Sequence, residues 1–443
     1  MANTTKRLVG VIFFVIVTAI LYLKSGRQNA DEVKRINEFF DSFKAEGGAP
    51  LPQAVGKASV AGTYNLELVP MDGKLRSADG GSVAYALMQP PFDSSHGSNI
   101  IRMPGTGDLL VTWFSGEEEG GDGVAIVVAR LENGASSWST PKVVSRKSMR
   151  SAQNPVLWYD PRAGVLHLYH TSQEAFMGQA TSVVLRLSST DGGDTWSEPS
   201  VLFDEPGAFL RNQVISSHDG SEFLLPMYHT PEGFFAHKSQ YSSILRSSDG
   251  GAYWKPVHSF PPGRCVQPSV VRVGASKHLV SYFRSRAADS IYVSTSLDDG
   301  MTWSEPRRTT LPNNNSGIQA VALASGRVAI AFNNLEGDHA RWPISLALTA
   351  PLVPDAAASG GVANVDFIEY VRDLEPLAPA GVNVDTASLF PGGEFSYPSL
   401  LQSPDGDIHV TYTFKRETIK YVRVSEEWIM QGTSVGDFVP PKR

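Results

Sequence analysis

Three stretches of the chain repeat one pattern, and the repeat leaves few folds open. Ser189-Thr190-Asp191-Gly192-Gly193-Asp194-Thr195-Trp196 and Ser296-Leu297-Asp298-Asp299-Gly300-Met301-Thr302-Trp303 are full copies of S-x-D-x-G-x-T-W. Ser247-Ser248-Asp249-Gly250-Gly251-Ala252-Tyr253-Trp254 is a third, with Tyr in the Thr position. A worn fourth, Glu132–Trp138, carries Asn133 in the Asp position. The tryptophans Trp138, Trp196, Trp254 and Trp303 lie about 50 to 60 residues apart, the period of a propeller or a similar array. The residue types suit a hairpin turn. An Asp side chain bonds backbone N–H groups two residues on, and Gly permits positive φ. Each Trp is then free to pack between neighbouring units.

The intervening sequence is strand, turn, strand. Asn99–Trp113, Pro155–His170, Gln213–Tyr228, Pro268–Phe283, Ile318–Phe332 and Pro398–Tyr412 share one shape, a short strand, a Gly or Asp-Gly turn and a second strand. A third strand follows in most, as at Ser182–Ser188, Ser243–Ser247 and Ser290–Ser294, and the Asp-containing turn leads into a fourth. Four strands per unit and six units predict an all-β, six-bladed β-propeller. The propeller is expected over residues 90–430, with an insertion at about 350–392, Lys420–Val424 as the closing strand, and a tail at 431–443.

Ahead of it, Leu8–Leu23 is an uninterrupted apolar run flanked by Lys6, Arg7, Lys24 and Arg27. Residues 1–27 read as a signal-anchor or transmembrane helix, with a cleaved signal peptide as the alternative. Either places the propeller outside the cytoplasm, membrane-anchored or, after cleavage, secreted. Residues 28–89 read as a juxtamembrane helix, Asp31–Ala45, and a linker. A formal charge of −7 offers no electrostatic support for nucleic-acid binding. Cys265 is the lone cysteine, so no intrachain disulfide forms and a Cys-based metal site is not expected. No cofactor or metal is expected either.

In a propeller the innermost strands run along a central channel, so residues just before each first strand converge at one mouth. Counting back from the second strand of each unit puts His96, Asn154, Arg211, Gln267, Ser316 and Tyr397 there. Six polar residues at equivalent positions predict a convergent site.

The Asp-boxes, the six-blade period and the Ser396-Tyr397-Pro398-Ser399-Leu400 segment resemble the sialidase (neuraminidase) superfamily, in its divergent branch with BNR repeats, over about Pro90 to Trp428. The resemblance implies a tyrosine nucleophile at Tyr397. It implies carboxylate-binding arginines at Arg284, with Arg286 a close rival, and at Arg341. It also implies an acid/base on the loop Ser115–Gly123, where Asp122 and Glu119 are the candidates. The chain departs from the family pattern at three places. His96 stands where the first arginine is expected, Gln267 where a glutamate activates the tyrosine, and Thr413 where a glutamate supports the first arginine. Arg211 is a candidate replacement for the missing arginine, because a guanidinium suits bidentate recognition of a carboxylate. Asn154 and Asn334 are candidate contacts to sugar hydroxyls.

The implied activity is an exo-α-sialidase-like glycoside hydrolase acting on sialylated or other acidic glycans. Two readings stand beside it. His96 and Tyr397 suit the base and acid of a β-elimination at a uronic acid, and Gln267 suits a propeller that binds glycans without turnover, since a glutamine takes no proton from tyrosine.

Overall fold

A computed structural model of the chain describes residues 69–231, 239–337, 341, 343–355, 357–358, 361–375 and 394–434. The apolar run Leu8–Leu23 and the helix expected at Asp31–Ala45 lie outside these residues. Among the described residues no helix is long and apolar enough to cross a membrane. What is described is an all-β propeller of six antiparallel blades whose first strands surround the axis.

Blade I is Ser94–Arg102, Leu109–Gly116, Ala125–Leu131 and Lys142–Ser145, and blade II is Arg150–Asp160, Val165–Glu174, Val183–Ser189 and Ser200–Phe203. Blade III has a broken inner strand, Ala208–Phe209 and Ile215–Ser216, ahead of Phe223–His229, Tyr241–Ser247 and Lys255–Ser259. Blade IV is Cys265–Arg272, Leu279–Ser285, Ser290–Ser296 and Arg307–Pro312. Blade V is Gln319–Ala322, Val328–Asn333, Ile344–Thr349 and Ile368–Asp373, with Thr433–Ser434 added at its edge. The longer interval after its third strand holds a small hairpin, Val353–Pro354 with Val362–Ala363.

Blade VI corrects the expected boundaries. Its three C-terminal strands, Phe395–Gln402, Ile408–Phe414 and Thr418–Val424, are extended by Val83–Leu87 and then Arg76–Ala78. The end of the stretch read as linker therefore closes the ring. The strand expected to close it, within Thr418–Val424, is the third strand of the blade. The physical reason is the edge. Without Val83–Leu87 the backbone groups of Thr418–Val424 would face solvent unpaired.

The core is not a single central mass. Six apolar clusters lie one between each pair of adjacent blades. The Asp-boxes clasp these interfaces from outside. Ser189 Oγ accepts from Gly193 N at 2.8 Å, and Asp191 Oδ1 accepts from Thr195 N at 3.0 Å. The same bonds recur at Ser247, Asp249, Gly251 and Tyr253, and at Ser296, Asp298, Gly300 and Thr302. The Asp thus reaches the N–H four residues on, not two. Gly251 must be glycine, since a Cβ there would lie 2.7 Å from the Trp158 ring of the preceding blade.

A second device was not foreseen. Arg130, Arg186 and Arg246, each on a third strand, donate across the interface to the box carbonyls of Gly192, Gly251 and Asp299 at 2.7, 3.4 and 2.8 Å. The worn fourth box is held otherwise, by backbone bonds Leu75 N to Ser136 O and Trp138 N to Gly73 O.

The box tryptophans are not equivalent. Trp138 and Trp254 are buried, whereas Trp196 and Trp303 are half-buried. Trp254 stands edge-on to Trp158 and Tyr169 at 6.2 and 6.4 Å. Trp254→Ala is expected to destabilise the protein by about 3–5 kcal/mol through the cavity it leaves. A denaturant-unfolding midpoint close to that of the parent would refute this.

Candidate functional site

Four of the six inner strands share a β-bulge at the mouth. Pairing skips two residues between His96 and Asn99, Gln153 and Val156, Val266 and Ser269, and Ser396 and Ser399. The first skipped residue is left-handed in every case, with Gly97 at φ 67°, Asn154 at 46°, Gln267 at 56° and Tyr397 at 51°. Such φ values are uncommon for non-glycine residues and strained for a tyrosine, a recurrent property of functional sites.

The bulges settle the register. Asn154, Gln267 and Tyr397 occupy equivalent positions, as expected. The equivalent in blade I is Gly97, not His96, so the count was one residue short. Two residues beyond three of these bulges, side chains lock the blades. Leu157 N donates to Asn99 Oδ1, Ala320 N to Ser269 Oγ and Ile100 N to Ser399 Oγ, at 2.9–3.1 Å. Leu400 N donates to Gln319 Oε1 at 2.8 Å, which by the same register makes Gly317 rather than Ser316 the blade V equivalent. A Cβ on Gly317 would lie 3.3 Å from both Gln267 Oε1 and the Tyr397 ring. Glycine there keeps the space beside Tyr397 open.

Tyr397 is 8% exposed. Arg284 Nη1 donates to its hydroxyl at 2.6 Å. The guanidinium carbons of Arg211, Arg284 and Arg341 lie 5.2, 5.6 and 5.4 Å from its ring centre. The structure therefore brings the expected arginines to the expected tyrosine, but not in one role.

Arg211 is 1% exposed and donates to the backbone carbonyls of Ser98 and Pro398 at 3.1 and 2.7 Å. It fills the break in blade III's inner strand and ties blades I and VI beneath Tyr397. It does not face the mouth as a free carboxylate ligand. Burial brings its guanidinium down to about 10, still charged at neutral pH. Arg284 is oriented by Asn315 Oδ1, which accepts from its Nε at 3.0 Å and its Nη2 at 2.8 Å. Arg286, the rival, bonds Gln240 Oε1 through Nε and reaches Asn315 Oδ1, the acceptor of Arg284, through Nη1 at 3.4 Å.

Gln267 accepts from Arg284 Nη1 at 3.4 Å and donates to Tyr228 Oη at 3.5 Å. It completes a neutral wall and takes no proton. Charge acts on the Tyr397 phenol instead. Burial raises it, but Arg284 and Arg341 outweigh burial and bring it from 10.0 down to about 8. Tyr228 goes the other way, pushed up to about 12 by burial and by the charge of Tyr397.

A titration of phenolate absorbance in the near ultraviolet is expected to show a component with a midpoint of about 8. Tyr397→Phe should remove it, and Arg284→Met should shift it to higher pH. Persistence of that component in Tyr397→Phe would assign it to another tyrosine.

His96 packs its ring 4.3 Å from that of Tyr397 and bonds Thr413 Oγ1 through Nδ1 at 2.7 Å. Burial, followed by the charges of Arg416, Arg341, Arg211 and Arg284, holds it well below 6.5, so the imidazole is neutral. The departures at His96 and Thr413 thus form one hydrogen-bonded pair. Asn154 sits at its bulge with Oδ1 3.6 Å from where a Gly97 Cβ would be. Asn334 is buried and leaves its Oδ1 without a hydrogen-bond partner.

The two acidic candidates separate. Asp122 is exposed and its carboxylate caps the Met149 N–H, which holds it on the outer loop. Glu119 reaches the site. Its Oε2 accepts from Arg416 Nη1 at 2.6 Å, and its charge acts on the Tyr397 phenol.

Two site residues escaped sequence reasoning. Glu394 Oε1 accepts from Arg341 Nη1 at 2.9 Å, and its Oε2 accepts from Arg416 Nε at 2.7 Å. Burial raises the Glu394 carboxyl, but Arg416 and Arg341 outweigh it and keep it ionised. Both residues lie off the inner-strand register. Glu394 precedes its strand, and Arg416 sits in the Lys415-Arg416 turn of blade VI, so counting strand positions passes over them. The charged run Lys415-Arg416-Glu417 at a mouth-side hairpin end was the available signal.

Among the described residues, Arg211, Arg284, Arg286, Arg341 and Arg416 thus surround Tyr397 with the carboxylates Glu119 and Glu394. The mouth is locally positive in a chain of net charge −7. A tyrosine poised to ionise in such a setting can act as a nucleophile or a base, and the surplus guanidinium charge suits an anion.

The architecture is that of sialidase-type propellers. A Hadza microbial sialidase superposes with a TM-score of 0.59 at 15% identity, covering 76% of this chain and 66% of that one. The intramolecular trans-sialidase of Ruminococcus gnavus gives 0.61 at 12%, covering 76% and 96%. NanB sialidase of Streptococcus pneumoniae gives 0.62 at 11%, covering 82% and 71%. A family model described as a BNR repeat-like domain matches residues 107–410, and the chain belongs to that family. A xyloglucanase of Paenibacillus sp. is 28% identical over 34% of this chain, a match that spans only 16% of that enzyme.

Proposed function

We propose that this protein is a glycoside hydrolase that releases a terminal acidic sugar, sialic acid or a relative, from glycoconjugates. The observation that carries the reading is Arg284 bonded to the Tyr397 hydroxyl at 2.6 Å inside a ring of guanidinium groups. The arginines serve two ends. They hold a sugar carboxylate, and they favour the phenolate that attacks the anomeric carbon or stabilises an oxocarbenium-like state. We assign Glu119 as the carboxyl group that protonates the leaving oxygen. The relatives named as sialidases and as a xyloglucanase support glycoside chemistry.

The test is hydrolysis by the full chain of a fluorogenic sialoside against fluorogenic neutral glycosides. Release from the sialoside alone is expected. Release from the neutral glycosides alone would overturn the acidic-sugar assignment. Gln267 favours one other reading, a propeller that binds acidic glycans without turnover, and binding with no release at any pH would select it. We also place the propeller outside the cytoplasm, attached through Leu8–Leu23, a reading that rests on the sequence. Recovery of the full chain in the soluble cytoplasmic fraction would exclude it.

A further inference from the structure

Arg416 is held by a different carboxylate on each of two edges. Its Nε is held by Glu394 Oε2 at 2.7 Å. The other oxygen of Glu394 accepts from Arg341 Nη1 at 2.9 Å and from the Ser396 hydroxyl. Glu394 is therefore a bridge that sets two guanidinium groups side by side, with Arg341 over the Tyr397 ring at 5.4 Å.

Nη1 of Arg416 faces away from the bridge and donates to Glu119 Oε2 at 2.6 Å. The two carboxylates differ in how they are held. The Glu394 side chain is 24% exposed and bonded to Arg341, Arg416 and Ser396. The Glu119 side chain is 38% exposed, with Arg416 as its ion-pair partner, on a loop that contains Gly116, Gly120, Gly121 and Gly123. The pair is half-buried on the Arg416 side, at 27%, and exposed on the Glu119 side, and an ion pair with one exposed partner on such a loop adds little stability.

We propose that Arg416 is a carboxylate-recognition residue of the mouth, and that Glu119 occupies it in the ligand-free protein as an internal stand-in that leaves when a ligand carboxylate arrives. The proposal rests on the acidic-glycan reading and adds to it a residue and an order of events. One carboxylate replaces another on the same donor, so no covalent bond is made or broken. Glu119, once released, remains next to Tyr397 on the Gly-rich loop, free to meet the leaving group. Selectivity follows from the exchange. A neutral sugar brings nothing to replace Glu119, and the internal pair stays closed against it.

The test is equilibrium binding of N-acetylneuraminate and of its methyl ester to the full chain, read by calorimetry. Glu119→Gln is expected to tighten binding of the acid about tenfold or more, the scale of one charge-assisted hydrogen bond, and to leave the ester unaffected. Arg416→Asn is expected to weaken the acid by about the same factor. Asn suits the left-handed position, φ 61°, that Arg416 holds, so the hairpin is preserved. Unchanged affinity in Glu119→Gln, absence of acid binding by that variant, or an ester that binds the parent as well as the acid would each overturn the proposal. Binding is read without turnover, so the two readings fail separately. A chain that binds the acid with the expected variant effects but hydrolyses no sialoside loses the hydrolase reading alone. One that hydrolyses sialosides yet shows no tightening in Glu119→Gln loses the exchange alone.

Discussion

Tyr397→Phe is expected to abolish hydrolysis of an acidic glycoside while leaving the propeller folded. The change removes one oxygen. The ring keeps its packing on His96 at 4.3 Å and its place among Arg211, Arg284 and Arg341. Arg284 loses its 2.6 Å acceptor but retains Asn315, so its guanidinium is not stranded. Binding should therefore change little, because the carboxylate-facing arginines are untouched. Turnover should fall by about 10²–10⁴-fold or more, the range for loss of a positioned group that exchanges a proton in the transition state. The pattern is a lower kcat with KM nearly constant. Equal rates in parent and variant would remove Tyr397 from the chemistry.

The second large effect concerns ring closure. A chain that begins at Pro90 is expected to lose the cooperative unfolding of one that begins at residue 69. Val83–Leu87 pairs with Thr418–Val424 over four residue pairs. Ala86, Leu87 and Met88 are 0, 3 and 1% exposed in the cluster between blades VI and I or beside it. Burying Leu87 and Met88 is worth about 1.5–3 kcal/mol each. Against a typical total stability of about 5–15 kcal/mol, their loss is a large fraction. It also exposes Ile419 and Tyr421 of the same cluster and leaves an open strand edge that invites aggregation. Equal unfolding midpoints for the two chains would show that the closing strands are dispensable.

The blades were legible because their signals are local. An Asp-box is a self-contained turn, and its Ser, Asp and Gly make their bonds within five residues of one another. Alternating strand pairs are equally local, so the blades and the positions of Asn154, Gln267 and Tyr397 followed from counting. The count failed where geometry departed from the repeat. Blade I spends its bulge on Gly97, which has no side chain to notice, and blade III breaks its inner strand around Arg211. Arg211 had the chemistry of a ligand-binding residue, yet its donors go to Ser98 and Pro398 carbonyls that lie 113 and 187 residues away in sequence. No local pattern reveals that pairing. Asp122 and Glu119 could not be separated for the same reason, because the partner that distinguishes them, Arg416, is 297 residues from Glu119.

The sequence by itself determined the repeat, the number of blades and the tyrosine at the last inner strand, since periodicity and turn chemistry act over short stretches of chain. Tertiary structure decided the rest. Closing the ring required residues 76–87 to pair with the last blade, because a propeller leaves one edge open until its two ends meet. It also set the electrostatics of Tyr397. With Gln267 where an activating glutamate was expected, the sequence offers no route to a reactive phenol. The fold sets Arg284 and Arg341 against the phenol, and their charges, which count for far more in a partly desolvated mouth than along an extended chain, outweigh the burial that raises it.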